Sequence, residues 1–187
     1  MSKIKLNAAS GGGSVAFEGP SSSGNDKIIK FPAAPGVIVQ TVQTVKTDTY
    51  SGASNGSEIT LTGITVTITP TSSTSKILLV CSLFYSCTGT TYKLYPKRGS
   101  TIIGVGDAAG SRIQAQGALG FAGDANQCEQ CTTYYLDSPS TTSATTYSFY
   151  AKNDNTKDLF INRSEYDTNS NVGARGISTV TAMEVTA

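Results

Sequence analysis

The chain has 187 residues with 14 basic and 13 acidic side chains, and it contains no histidine. A net charge of +1 without any basic run excludes an electrostatic footprint for nucleic acid. The missing histidine removes the commonest general base, the usual nucleophilic triads and most catalytic zinc sites, and no stretch nears the about 18 apolar residues of a membrane span.

Only 14% of residues are charged, whereas serine and threonine supply about a quarter of the chain. Threonine favours strands and serine favours turns, so the composition predicts an all-β protein with many exposed loops and no helix. The length suits one domain plus a terminal arm.

Residues 1–36 are that arm. Three short apolar patches, Ile4 with Leu6, Val15 with Phe17, and Ile28, Ile29 with Phe31, are separated by spacers rich in glycine and serine. Such spacers carry high backbone entropy and bury nothing. The patches are too short to enclose a core, so contacts from neighbouring molecules are expected to fix the arm. Three copies wound about an axis would let each short strand pair with a neighbour's edge. Docking on another protein by strand addition would serve as well. These seven residues are the candidate anchor and trimer-arm residues.

Pro32 to Gly36 reads as a stiff hinge. From residue 37 onward the apolar period is two, and 37–45 is the first predicted strand, followed by a loop over 47–57. In 58–69 the apolar residues lie on odd positions through Leu61 and on even ones from Ile64. That change of parity at Thr62–Gly63 predicts a β-bulge or a strand switching sheets. The segment 76–87 is apolar on both faces through Phe84, the pattern of a central strand covered on two sides. Further strands are predicted over 92–96, 101–105, 112–121, 130–136, 144–152, 159–163 and 177–185, joined by turn-forming residues. The domain 37–187 is therefore expected to be a two-sheet antiparallel sandwich, jelly-roll-like.

The stretch KLNAASGGGSVAFEGP (5–20), running into KIIKFP (27–32), resembles the leader of fibre and virion structural proteins of tailed bacteriophages, especially marine cyanophages. LTGITVTITP (61–70) with SKILLV (75–80) is similar to the opening strands of the domain that follows such leaders, and ISTVTAMEV (177–185) to its last strand. The resemblance implies a non-enzymatic homotrimeric virion surface protein, assembled in the host cytoplasm and attached by its arm to capsid, tail or adaptor proteins. No shaft is present, so a short tail or head fibre engaged in host attachment and a capsid decoration protein both stay open. A secreted trimeric module of the TNF, C1q or lectin kind is the alternative from another class, although the opening residues lack the plan of a secretory signal. A polysaccharide-degrading spike is the third.

For that last reading Asp107, Asp124, Asp137, Asp154, Asp158 and Asp167 are the available carboxylates, but each sits in or beside a turn, where aspartate is common for local reasons. No catalytic, metal-binding or cofactor residue is therefore assigned. Cys128 and Cys131 have the spacing of half a zinc ribbon without the other half, since Cys81 and Cys87 lie too far apart. Free or buried thiols are the expectation, with one disulfide or a metal as the alternatives. Residues 152–158 superficially resemble a calcium loop and are better read as a hairpin turn. Tyr92, Tyr95, Tyr134 and Tyr135 are the candidate contacts with a host glycan, a receptor or another partner. The plainer reading puts these rings inside the sandwich or the subunit seam, with one of Tyr134 and Tyr135 facing outward. Loops 47–57, 104–110 and 165–173 are where contact residues would otherwise sit.

Overall fold

A computed structural model describes residues 3–7, 14–18, 35–120 and 123–187, and no helix occurs among them. The chain divides into two compact units, Met1–Pro32 and Ala33–Ala187.

In the first unit β1 (Lys3–Asn7) and β2 (Ser14–Glu18) form an antiparallel pair, with Ile4 opposite Phe17 and Leu6 opposite Val15. This pairing lies within the chain. The first two patches thereby satisfy one edge of each other. Ile28, Ile29 and Phe31, and Pro32 of the hinge, lie outside the described residues.

The second unit contains β3 (Ile38–Lys46), β4 (Tyr50–Ser54), β5 (Glu58–Ile68), β6 (Lys76–Cys87), β7 (Tyr92–Arg98), β8 (Thr101–Ile102), β9 (Gly117–Leu119), β10 (Glu129–Asp137), β11 (Thr145–Lys152), β12 (Lys157–Ile161) and β13 (Ser178–Val185). In the first sheet β6 is central. β10 pairs along one edge of it, and β13 and then β12 share the other edge. β3 lies outside β13, and β4 outside β12. In the second sheet β5, β11 and β7 are neighbours, with β8 and β9 both on the far edge of β7.

Strands that share a line can be counted as one lane, which leaves eight lanes in two sheets of four. In chain order the first sheet runs first–eighth–third–sixth, and the second runs second–seventh–fourth–fifth. This is a jelly-roll-like sandwich, in which every strand but β8 pairs with one distant in sequence. The predicted all-β sandwich is thus found.

Between the sheets lies one core. It takes alternate residues of β6 (Ile77, Leu79, Cys81, Leu83, Tyr85), Val180 and Ala182 of β13, and Tyr147, Phe149 and Ala151 of β11. A fully buried leucine or phenylalanine of this kind contributes about 1.5–3 kcal/mol. The bulge predicted in β5 is present. Thr60 faces Tyr150 and Thr65 faces Ser148, so residues 61–64 stand opposite Phe149 alone. Gly63 supplies the left-handed turn, with φ of 84°, and Leu61 and Ile64 both reach the core as a result.

Three expectations are corrected. The predicted loop 47–57 contains β4, which the composition YSGAS hides and which exists because β12 offers it an edge. The strands predicted over 101–105 and 112–121 shrink to β8 and β9, with Phe121 outside the described residues. β6 is covered on one face only, because Leu78, Val80, Ser82 and Phe84 point away from the core and stay half-buried.

The sandwich has two distinct ends. At one, the N–H of Gly36 donates to the carbonyl of Thr186 (2.8 Å) and that of Thr186 to Val37 (3.0 Å), which pins the chain's entry beside the last strand. β3 runs away from this point. The turns 55–57, 88–91 and 153–156 and the connection from β9 to β10 gather at the opposite end.

Candidate interaction surface

The outward faces of the two sheets differ in chemistry. On the second sheet Thr60, Thr65 and Thr67 of β5 lie beside Ser148, Tyr150 and Lys152 of β11, and Lys93 and Lys97 of β7 follow. Lys97 forms an ion pair with Glu58 (2.5 Å) and stands 4.3 Å above the Tyr150 ring. This is a solvated face, with charges spread across it.

The middle of the first sheet's outer face carries none, with Lys76 and Asp158 exposed toward its two ends. Three rows cross its four lanes: Leu136, Leu78, Met183, Thr41; then Tyr134, Val80, Thr181, Gln43; then Thr132, Ser82, Thr179, Val45. Gln130 and Phe84 extend it. No charged side chain stands in these rows. Five of the polar side chains bond to each other: Gln43 Nε2 to Thr181 Oγ1 (2.9 Å), Gln130 Nε2 to Ser82 Oγ (2.7 Å), and Thr132 Oγ1 to Ser82 Oγ (3.2 Å). Tyr134 is 71% exposed, Val45 49% and Leu136 44%.

The four candidate tyrosines separate clearly. Tyr92 is fully buried, and its hydroxyl donates to the carbonyl of Lys157 and accepts from the N–H of Ser54. It closes the far end of the core rather than meeting a partner. Tyr95 points outward from β7 yet is also buried, because it stacks on Tyr150 and donates to Glu58 (2.9 Å). Tyr135 faces inward, packed against Gly104, where a Cβ would strike its ring. Tyr134 alone of the four presents its ring to solvent. Parity along β10 separates the neighbours Tyr134 and Tyr135, whereas the burial of Tyr95 depends on a distant strand.

Three of the six candidate carboxylates act as fastenings. Asp137 is buried, accepting from Tyr147 (2.8 Å) and pairing with Arg98 (2.9 Å). Asp167 joins Arg163 (3.1 Å) and Arg175 (2.7 Å) across the excursion between β12 and β13. Asp124 accepts from the N–H of Asn126 in its own turn. Asp107, Asp154 and Asp158 are exposed. In the turn 153–156 Asn153 is buried, and its carbonyl accepts from Ser54 Oγ (2.9 Å), which ties this turn to 55–57. Among the described residues no group of three His, Cys, Asp or Glu side chains could hold a metal ion.

All four cysteines are free thiols. Cys81 and Cys87 are buried and Cys128 and Cys131 half-buried. Burial pushes the Cys81 thiol well up and raises that of Cys87 to about 11. Of the two N-x-S/T sequons, the one at Asn162 is unusable in the folded chain, since that residue is wholly buried.

No family model matches the chain, and no curated protein matches it in sequence, so its fold and its surfaces carry the functional argument.

Proposed function

We propose that this chain is a non-enzymatic structural protein of a tailed-phage particle, displayed as a homotrimer and attached through its N-terminal unit. The polarity of the sandwich carries this reading. The chain enters at Gly36 beside the final strand, and the turns 55–57, 88–91 and 153–156 gather at the opposite end. A domain arranged in this way is held at one end and presents the other. The separate compact unit Met1–Pro32 supplies a holding element, and the resemblance of 5–20 and 27–32 to phage virion leaders supplies the setting. The engaged carboxylates and the absence of histidine from the chain favour a structural role over hydrolysis.

Two measurements test it. Light scattering on the purified chain is expected to give three times 19.4 kDa, and a tag-specific antibody is expected to decorate intact particles produced with a tagged chain. A monomer in solution, or particles assembled without the chain, overturns the proposal.

A further inference from the structure

We propose that Asn55 is a site of self-modification, in which the backbone nitrogen of Gly56 displaces ammonia from the Asn55 side chain. Water then opens the resulting succinimide to aspartate or isoaspartate. The site lies in the turn 55–57, at the end of the sandwich opposite Gly36, and needs no partner beyond water.

Three observations select this residue. First, Asn55 alone of the asparagines in the sequence precedes a glycine. Ring closure brings the following nitrogen onto the amide carbon, and a Cβ beside that nitrogen obstructs the approach; glycine has none. Gly56 is exposed with φ of 74°, and a Cβ placed on it would meet nothing within 4 Å. Second, the side-chain oxygen of Asn55 accepts a 2.8 Å hydrogen bond from Thr156 Oγ1. Negative charge collects on that oxygen as nitrogen adds to the carbon, so the hydroxyl is a donor already aimed at the developing oxyanion. Third, the N–H of Gly56 donates to the carbonyl of Asn153 at 3.2 Å. That is the long limit of a backbone hydrogen bond, in an exposed turn where opening costs little. The asparagines elsewhere in the sandwich differ. Asn153 and Asn162 are buried. Asn155, Asn169 and Asn171 are exposed but precede Thr156, Ser170 and Val172, whose Cβ atoms stand beside the attacking nitrogen.

The Gly56 nitrogen gives up its proton, its bond to Cγ of Asn55 forms as the Cγ–Nδ2 bond breaks, and Nδ2 leaves as ammonia. One water opens the ring and returns a proton to the nitrogen. Attack at Cγ gives aspartate, and attack at the main-chain carbonyl gives isoaspartate. Either product adds a carboxylate at the end that carries the exposed Asp154, and takes the formal net charge from +1 to zero. Isoaspartate also inserts a methylene into the backbone before Gly56, which loosens the tie between the turns 55–57 and 153–156.

The test incubates the purified full chain under mildly alkaline conditions and follows its peptides by mass spectrometry, with fragmentation that separates isoaspartate from aspartate. Asn55 is expected to convert to both, with release of ammonia, while Asn155, Asn169 and Asn171 in the same sample stay intact. Thr156→Val keeps the shape of the exposed side chain and removes the donor. It is expected to slow the conversion about tenfold, the rate equivalent of one hydrogen bond, with an unchanged circular dichroism spectrum. Thr156→Ser keeps a hydroxyl and is expected to retain the faster rate. An Asn55 that stays intact, or aspartate formed without isoaspartate, overturns the modification. An undiminished rate in Thr156→Val overturns the part given to the Thr156 hydroxyl.

Discussion

The side-chain oxygen of Asn162 accepts a 2.7 Å hydrogen bond from Ser178 Oγ, across the excursion that separates β12 from β13. The two residues occupy the gap in one strand line. The N–H of Asn162 donates to Phe84 (2.8 Å), and the N–H of Phe84 donates to Ser178 Oγ (3.0 Å) in place of a ladder carbonyl. The Asn162 amide also donates to the carbonyls of Lys46 (2.8 Å) and Asp48 (2.9 Å), where β3 breaks into β4. A single buried side chain thus bridges the interruptions of two adjacent lanes, which satisfies backbone groups that no strand reaches.

Asn162→Ala is therefore expected to cost about 2 kcal/mol, because one buried carbonyl, one partly buried carbonyl and one buried hydroxyl lose their partner. The residue also holds a left-handed φ of 64°, so Asn162→Gly should be milder than alanine by about 1 kcal/mol. Urea unfolding checks both values. A loss under about 0.5 kcal/mol in the alanine variant, the range of ordinary surface substitutions, would show that the breaks do not depend on this residue.

Glu184 sets an acid limit. Burial raises its pKa, but hydrogen bonds from Gln40, Ser75 and Thr71 outweigh that and hold it at about 2, against a usual 4.5. A depressed carboxylate contributes stability that is complete above the unfolded pKa near 4.5 and is lost as pH falls through about 2. Stability should thus decline over that window. Glu184→Gln, followed by denaturant titration at several pH values, should flatten the decline and lower stability at neutral pH.

Alkaline unfolding should follow from the phenols. Burial raises the pKa of Tyr85, Tyr95 and Tyr147, and neighbouring Glu129, Glu58 and Asp137 respectively raise each further. Groups raised in this way stabilise fully below their unfolded pKa near 10 and lose that contribution as pH rises above it. In an ultraviolet titration these three are expected to ionise only together with the loss of β structure. Smooth ionisation of all nine tyrosines in the folded chain would contradict the burial described.

Thiol labelling gives an independent check on the core. At pH 8 a disulfide reagent is expected to leave Cys81 and Cys87 unmodified until denaturant is added, since burial disfavours their thiolates. Cys128 and Cys131 are half-buried and are the first expected to react. Mass spectrometry of labelled peptides distinguishes the four sites.

The fold was legible wherever side-chain periodicity alone decides it. The bounds of β6 follow from its apolar run, and the β5 bulge follows from the parity change at Gly63. β4 was hidden because Tyr50, Ser51, Gly52, Ala53 and Ser54 carry no alternating signal, and it pairs only because β12 is already in place. The bridge through Asn162 was hidden for a similar reason, since nothing local marks an asparagine as the tie between two broken lanes. On the surface, parity separates Tyr134 from Tyr135. Tyr95 defeats parity because its cover comes from Tyr150 on another strand and from Glu58 on a third. The uncharged middle of the first sheet's outer face becomes visible only once register places Leu136, Leu78 and Met183 in one row.

The pinning of Gly36 and Val37 to Thr186 has a mechanical consequence. A pull between Gly36 and the distant turn 153–156 acts along the axis of β3, so the β3–β13 ladder must yield by shear, with its bonds strained together. A pull between Gly36 and Thr186 would instead unzip the same ladder one bond at a time. Tethered at its entry and tugged at its tips, the sandwich meets force in its strongest direction.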